Sequence, residues 1–205
     1  MTDMKHQSKT KLLDAAMHVI RARGYNATRI EDVCEAAGLT KGSFFHHFKG
    51  KEDLALATAR HWDELTGDVF ATAPYRALAD PLDRLLGYVD FRKMILQGDV
   101  PDYTCLVGTM VQEVHGTHPR IREACDHSIS DHVATVEADI AEAMSKYPIH
   151  AGWSAGSLAL HIHAVIQGAF ILAKARQSTD VAAASLDHLR RYLEMLFTPA
   201  TENAR

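Results

Sequence analysis

Apolar residues recur at three- and four-residue spacing along most of the chain, and this pattern predicts helices. Near the start, Leu12, Ala16 and Val19 share one face of a helix from Ser8 to Arg23. Gly24 follows at the position where glycine commonly ends a helix. We find no alternating strand pattern, internal repeat or low-complexity segment. The predicted fold class is therefore all-α, with about nine helices.

The next stretch, residues 28–54, predicts two short helices joined by a tight glycine turn, followed by the start of a third helix. Thr28 is a candidate N-cap, and Glu31 three residues later completes a capping box. Gly38 is placed to end the first helix, and Thr40 to cap the second. A helix, a glycine turn and a capped helix within about twenty residues are typical of a helix-turn-helix motif.

The second of these helices carries side chains that suit a DNA major groove. Hydroxyl and ammonium groups cluster at its N-terminus, where free backbone N–H groups favour phosphate. Gly42 allows a close approach of the backbone, and the histidines and lysines beyond it add donors for phosphate oxygens. The candidate DNA-binding residues are Thr28, Arg29, Thr40, Lys41, Gly42, Ser43, Phe45, His46, His47 and Lys51.

The run TRIEDVCEAAGLTKGSFFHHFKGKEDL resembles the DNA-binding domain of the TetR family of one-component transcriptional regulators. The match extends back to Lys9 and covers about the first quarter of the chain. It carries the glycine turn, the recognition helix and the start of the next helix in one register. The chain departs from the family at Phe45, where tyrosine is usual, and at His46, where a second tyrosine is frequent. Phe45 lacks the hydroxyl that contacts the DNA backbone in the family, and His46 offers another donor.

Helical spacing continues beyond the DNA-binding segment, which we call the head, into the rest of the chain, which we call the body. A helix from Lys51 to about Phe70 is expected to link the head to the body, and Asp80-Pro81 reads as an N-cap followed by proline at the first helical position. The loop 98–102 ends that helix. Further helices are predicted over 104–115, 119–147, 153–176 and 180–197. The predicted domains are residues 1–50 for DNA binding, residues 51–198 for ligand binding and dimerisation, and a flexible tail at 199–205.

The last two predicted helices are apolar over more than one stripe, so they need partners on more than one side. The resemblance implies that they join those of a second subunit in a four-helix bundle. The expected dimer-interface residues are Leu158, Ile162, Val165, Ile166, Ala169, Leu186, Leu189 and Leu193. The resemblance to the TetR family also implies a small-molecule effector bound in the body and a pseudo-palindromic double-stranded DNA operator. Candidate ligand-binding residues are Trp62, Phe70, Tyr88, Phe91, Arg92, Cys105, Met110, Glu113, His163, Gln167 and Phe170.

Charge and cysteine content narrow the class of protein. The net charge is −4, yet residues 1–54 hold nine basic and seven acidic side chains, so a mildly basic head precedes an acidic body. Such a distribution fits a site-specific DNA binder. Three cysteines do not form a secreted disulfide framework. Without a signal peptide pattern or an uninterrupted apolar run of about 20 residues, the expected location is cytoplasmic.

Two alternative functions stay open. The stretch that begins at Cys105 resembles the corresponding segment of electrophile-responsive regulators such as the N-ethylmaleimide-responsive repressor, and a helix N-terminus favours the thiolate. Cys105 is therefore either a sensor or a core residue. An enzyme that uses the histidines and cysteines is the remote alternative, because we find no nucleophile elbow, phosphate loop or paired carboxylates. None of the 13 histidines fits a closed zinc pattern, and no cofactor is expected.

Overall fold

The computed structural model describes residues 2–147 and 152–198. Over these ranges the chain forms ten α-helices, one 3-10 helix and no strand, so the all-α prediction is confirmed. The predicted tail at 199–205 lies outside the described residues. The helices are α1 (Thr2–Arg23), α2 (Ile30–Ala37), α3 (Lys41–His47), α4 (Lys51–Ala71), the 3-10 helix (Pro74–Ala77), α5 (Pro81–Met94), α6 (Val100–Tyr103), α7 (Leu106–Val114), α8 (Pro119–Lys146), α9 (Ala155–Arg176) and α10 (Asp180–Phe197).

The start of α2 differs from the sequence prediction. Its N-cap is Arg29, whose backbone N–H donates to Asp32 Oδ2 at 2.9 Å. The Thr28 hydroxyl instead donates to the Gly24 carbonyl at 2.6 Å and is buried. The prediction of Thr28 as the cap was therefore wrong, because its side chain closes the preceding turn and Asp32 takes the acceptor role expected of Glu31.

The segment expected to be a plain loop at 98–102 contains the short helix α6. Asp102 accepts a hydrogen bond from the Asp99 backbone N–H at 2.8 Å, which closes the first turn. Pro101 lies in that first turn, where its missing N–H leaves no helical hydrogen bond unmade. Proline thus begins a helix here instead of ending one.

The chain divides into two compact units. Unit 1 comprises residues 1–70 and 98–130, and unit 2 comprises residues 71–97 and 131–205. The core of unit 1 combines α1–α4 with α7 and the first part of α8. Its fully buried side chains include Leu12, Ile20, Phe44, Leu54, Leu106, Met110 and Ile121. Because α4 packs in the same core as α1–α3, the division at residue 50 stays a prediction.

Unit 2 is built from α5, the rest of α8, α9 and α10, with α9 and α10 packed against each other and α10 against α5. Most residues expected at a dimer interface lie inside this core. Leu158, Ile162, Ile166, Ala169, Leu186, Leu189 and Leu193 are each at most 4% exposed, and Val165 is half-buried. Their burial within one subunit leaves them little surface for a second one.

The same two helices nevertheless expose large apolar side chains. The exposed residues are Leu160, Ile171 and Leu172 on α9 and Tyr192 and Met195 on α10. By length and composition α9 is also long and apolar enough to cross a membrane, and 33% of its most apolar 18-residue stretch is buried within the protein. Core helices of other proteins share that composition, so it is weak evidence for a membrane span. The helix is thus apolar on two sides, as its sequence predicted.

Candidate nucleic-acid interface and buried polar cluster

The turn between α2 and α3 has the geometry that its glycine predicts. Gly38 adopts φ 63°, in the left-handed region, and its N–H donates to Glu35 O at 3.0 Å. The next N–H, from Leu39, reaches back to Cys34 O at 2.9 Å. These two bonds satisfy carbonyls at the end of α2 and reverse the chain toward α3. The predicted helix, glycine turn and second helix are therefore present.

Helix α3 is held by aromatic packing on one side and leaves the other side exposed. Thr40 caps it, accepting from the Ser43 N–H at 3.2 Å, as predicted. Phe44 and Phe48 are at most 3% exposed and anchor it in the core of unit 1. Phe45, by contrast, is 57% exposed, with its ring edge-on to Phe44 at 5.2 Å between centroids. The exposed ring of Phe45 is therefore available to contact a partner.

The candidate DNA-binding side chains on α3 lie largely at the surface. Lys41, Gly42 and His46 are exposed, and Ser43 and His47 are half-buried. Lys41 pairs with Glu31 of α2, and both side chains are more than half exposed. A Cβ on Gly42 would meet no atom closer than 3.7 Å, so the backbone there is open to an approaching ligand.

Three further DNA-binding candidates have partners within unit 1. Thr28 is 2% exposed, so its side chain belongs to the turn after α1. Arg29 is exposed and hydrogen-bonds Asp32, whose pKa it lowers to about 2. The Lys51 ammonium donates to Asn26 O at 3.1 Å, and burial lowers its pKa.

A contact that the sequence did not predict joins α7 to the turn between α1 and α2. The Glu113 carboxylate accepts from the backbone N–H groups of Tyr25 at 3.2 Å and Asn26 at 2.8 Å. Gly24, at φ 85°, lies so close that a Cβ there would be 1.9 Å from Glu113 Oε1. We call this arrangement of Glu113 with residues 24–26 the turn clamp. Glu113 is one of the predicted ligand-binding residues, and its carboxylate holds the backbone of the DNA-binding head. Its contact with a ligand stays a prediction.

Other ligand-binding candidates in unit 1 are part of its core or lie beside it. Met110 is fully buried and Phe70 is 6% exposed. Trp62 is half-buried, with the Arg21 guanidinium 5.3 Å from its ring centroid. Cys105 is the N-cap of α7, where its sulfur accepts from the Gly108 N–H at 3.3 Å. Their ligand contacts stay predictions.

The remaining candidates come together inside unit 2. Tyr88 and His132 are joined through the Tyr88 hydroxyl and His132 Nε2 at 2.9 Å, and Arg92 lies within 3.0 Å of both. The His132 and His163 rings are 6.0 Å apart, and Gln167 Nε2 lies 3.2 Å from His163 Nε2. The aromatic rings of Phe91, Phe170 and Tyr75 are part of the same unit, and Tyr75 packs on both Tyr88 and Phe91. We call Tyr75, Tyr88, Arg92, His132 and His163 the polar cluster.

Burial and positive charge keep both histidines of the polar cluster neutral. Burial, together with the positive charges of Arg92 and Arg76, lowers the pKa of His132 to about 2. Burial and Arg92 lower the pKa of His163 to about 4. Sequence reasoning missed His132, yet it lies one turn from Ile129 and Val136, on the apolar stripe of α8. A histidine on such a stripe is a detectable signal for a buried polar site.

The three cysteines differ in accessibility. Cys34 is 5% exposed and Cys125 is fully buried. Burial raises the pKa of the Cys34 thiol and raises that of Cys125 to about 12, so both are thiols at neutral pH. Only Cys105 is partly exposed. Within residues 2–147 and 152–198, no group of three or more His, Cys, Asp or Glu side chains is arranged to hold a metal ion.

Two short helices across a left-handed glycine turn, with an exposed basic, hydroxyl and aromatic face on the second, define a helix-turn-helix DNA-binding protein. Residues 12–58 match the model of the bacterial regulatory proteins of the TetR family, and residues 81–189 match that of the tetracyclin repressor-like C-terminal domain. The chain therefore belongs to the TetR family of transcriptional regulators.

Individual relatives agree with this assignment. An uncharacterized HTH-type transcriptional regulator in the lacX 3′ region of Lactococcus lactis is 26% identical over 194 residues, covering 91% of this chain and 93% of that protein. The HTH-type transcriptional repressor KstR2 of Rhodococcus jostii is 39% identical over 67 residues, which is 32% of this chain and 33% of the repressor. That match thus spans about a third of the repressor's length.

Solved structures share the fold. A TetR-family regulator from Agrobacterium tumefaciens has a TM-score of 0.83 at 18% identity, covering 95% of this chain and all of that one. Reduced NemR from E. coli has a TM-score of 0.80 at 18% identity, covering 95% and 99%. At this identity the likeness concerns the fold alone, so the electrophile-responsive subtype is not confirmed.

Proposed function

We propose that the protein is a homodimeric repressor that leaves its operator when a small molecule binds its C-terminal part. The exposed face of α3 carries the first half of this proposal. It presents Lys41, Gly42 and His46 beside the exposed ring of Phe45. Side chains of these types bind phosphate oxygens and base edges, and the ring can pack against the sugar-phosphate backbone or a thymine methyl group.

Dimerisation is supported by the apolar residues that α9 and α10 leave uncovered. Leu160, Ile171 and Leu172 are 47–59% exposed, and Met195 is 75% exposed. A pseudo-palindromic operator needs two recognition helices about 34–36 Å apart, in successive major grooves, and a second copy that covered these side chains would supply the second one. The interface is thus proposed at these exposed residues, next to the buried ones that the sequence suggested.

The turn clamp supports a route from the body to the head. Helix α7 lies in the part of the chain that is predicted to bind the ligand, and its Glu113 accepts hydrogen bonds from the backbone of Tyr25 and Asn26 in the head. A shift of α7 by one or two ångströms would stretch both hydrogen bonds beyond their normal length. The turn before α2 would then lose its support, and the orientation of the helix-turn-helix would change. A ligand that favours the shifted arrangement lowers DNA affinity by its differential binding energy.

The DNA part is tested by fluorescence anisotropy of the full chain with DNA that flanks its own gene. We expect sequence-specific binding. The logarithm of the association constant should fall linearly with the logarithm of the salt concentration, with a slope of about −0.9 for each neutralised phosphate. Lys41→Ala should reduce the slope by about one unit, while Lys146→Ala, in unit 2, should leave it unchanged. A salt-independent signal, or equal affinity for unrelated DNA, refutes the proposal.

Electrophile sensing at Cys105 is the second candidate, favoured by one observation. Cys105 is the only partly exposed cysteine among the described residues, and its sulfur lies at the N-terminus of α7, the helix that carries Glu113. Modification of the sulfur would remove it from the Gly108 N–H and disturb the helix. If N-ethylmaleimide releases DNA from wild type and from Cys105→Ser alike, this candidate is wrong.

A further inference from the structure

The polar cluster of unit 2 contains buried groups with no hydrogen-bond partner. The Tyr75 hydroxyl belongs to a side chain that is 4% exposed, and it makes no hydrogen bond to another group of the protein. His163 Nδ1 is likewise buried without a hydrogen-bond partner in the protein, while its Nε2 lies 3.2 Å from Gln167 Nε2. Buried polar atoms in proteins are nearly always hydrogen-bonded, so each exception calls for an explanation. Two such exceptions within one cluster mark it as a candidate binding site.

The cluster also holds a cation, Arg92, that contacts two neutral groups. Arg92 Nη2 lies 2.6 Å from His132 Nε2, and Arg92 Nε donates to the Tyr88 hydroxyl at 3.0 Å. Since His132 Nε2 accepts from a guanidinium, the ring is neutral and its proton is on Nδ1. A guanidinium fork fits the two oxygens of a carboxylate much better than the single lone pair of an imidazole.

Nearby acidic groups are engaged with other arginines. The Asp139 carboxylate forms ion pairs with Arg76 Nη1 at 2.7 Å and with Arg84 Nε at 3.1 Å, and Glu142 pairs with Arg84. The positive charge of Arg92 also acts on the Tyr75 hydroxyl, on His132 and on His163. Arg92 therefore adds positive charge to a setting that also contains the aromatic rings of Tyr75 and Tyr88.

We propose that the polar cluster binds a small organic carboxylate, with Arg92 as its counter-ion and the Tyr75 hydroxyl as a second donor. This inference rests on the proposed ligand-controlled repressor and names the chemical class of its ligand. One carboxylate oxygen takes the place that His132 Nε2 now occupies beside Arg92, so binding moves the His132 ring on α8. The hydrocarbon part of the ligand packs against the rings of Tyr75 and Phe91, whose centroids are 5.8 Å apart.

One guanidinium and one hydroxyl match a single carboxylate group, and a phosphate dianion would call for more donors. Recognition therefore depends on charge and planarity at one end of the ligand and on apolar surface at the other. A neutral amide of the same shape keeps the apolar contacts and loses the ionic one. This difference makes acid and amide pairs the natural probes.

The test uses isothermal titration calorimetry of the full chain with hexanoate and benzoate, each paired with its amide. We expect at least one acid to bind at least tenfold more tightly than its amide. Arg92→Gln should lower the affinity for that acid at least tenfold, Arg92→Lys should lower it less, and Tyr75→Phe should lower it two- to tenfold. Lys93→Gln is the matched control, because Lys93 pairs with Asp187 at the surface, and it should bind like wild type. Thermal unfolding of each variant confirms that it is folded.

Equal binding of acids and amides, binding of neither acid, or full retention of binding by folded Arg92→Gln overturns the inference. Operator release, measured in parallel, separates this result from the proposed function. A carboxylate that binds through Arg92 without changing operator affinity supports the site and refutes ligand-controlled release. Release by a neutral molecule in folded Arg92→Gln supports the regulator and refutes the carboxylate site.

Discussion

The turn clamp makes a quantitative prediction about stability. Replacing Glu113 by alanine removes a charged acceptor from the N–H groups of Tyr25 and Asn26. Hydrogen bonds to charged groups contribute about 1.5–3 kcal/mol, and Asn26 is exposed, so its N–H can turn to water. We therefore expect Glu113→Ala to lower the free energy of unfolding by about 2 kcal/mol. Gln112→Ala, the neighbouring exposed position on α7, is the control, with an expected change of about 0.5 kcal/mol or less.

Gly24→Ala tests the same contact from the other side. A side chain at φ 85° costs about 1–2 kcal/mol, and the new Cβ would lie 1.9 Å from Glu113 Oε1. The carboxylate must then leave, so the total loss in wild type should be about 3–4 kcal/mol. In the Glu113→Ala background only the backbone term is left, about 1–2 kcal/mol. The double-mutant cycle should therefore give a coupling of about 2 kcal/mol.

The assay is urea unfolding followed by far-ultraviolet circular dichroism, at one protein concentration because dimerisation would add to stability. A coupling below about 0.5 kcal/mol means that the collision with Glu113 does not determine the effect of Gly24→Ala. Glu113→Ala within about 0.5 kcal/mol of wild type would refute a stabilising role for the clamp.

Three further predictions concern the other surfaces. The double variant Leu160→Glu, Met195→Glu should weaken self-association at least 100-fold in sedimentation experiments, because an unpaired charge in an apolar interface is unfavourable. The control Leu78→Glu also changes an exposed apolar residue and should leave self-association unchanged. Phe45→Tyr should strengthen operator binding by about two- to tenfold in anisotropy titrations, equivalent to one hydrogen bond, and unchanged or weaker binding would argue against a backbone contact there. The pKa of His132 is lowered to about 2, so the unfolded chain takes up a proton near pH 6.5 that the folded chain refuses. The contribution of His132 to the free energy of unfolding is thus present above about pH 6.5 and is lost as the pH falls below that value. Between pH 7 and 5, the free energy of unfolding of wild type should fall by about 2 kcal/mol more than that of His132→Gln, and equal losses would show that His132 is not buried in its neutral form.

The sequence was a good guide to the helices because their start and stop signals are local. Gly38 and Thr40 act within four residues of themselves, and the structure has both as predicted. Thr28 shows the limit of such signals. A threonine can cap the helix that follows or close the turn that precedes it, and here the Gly24 carbonyl receives its hydroxyl.

Long-range contacts were harder to predict. Helical spacing found the apolar residues of α9, but it does not say which of two apolar sides faces the core of the subunit. The structure places Leu158 and Ile162 inside and Leu160 outside. Glu113 lies 87 residues from Asn26, and the position of an acid in the sequence carries no sign of a backbone partner so far away.

The turn clamp also constrains how this sequence can change over generations. A side chain at position 24 collides with the carboxylate at position 113. A shorter residue at 113 opens the space but gives up the acceptor for two N–H groups. Once position 24 carries a side chain, Glu113 has lost its two N–H partners and can change at little further cost, whereas loss of Glu113 still leaves glycine preferred at 24 because of its φ of 85°. Gly24 is therefore expected to be retained among relatives more widely than Glu113.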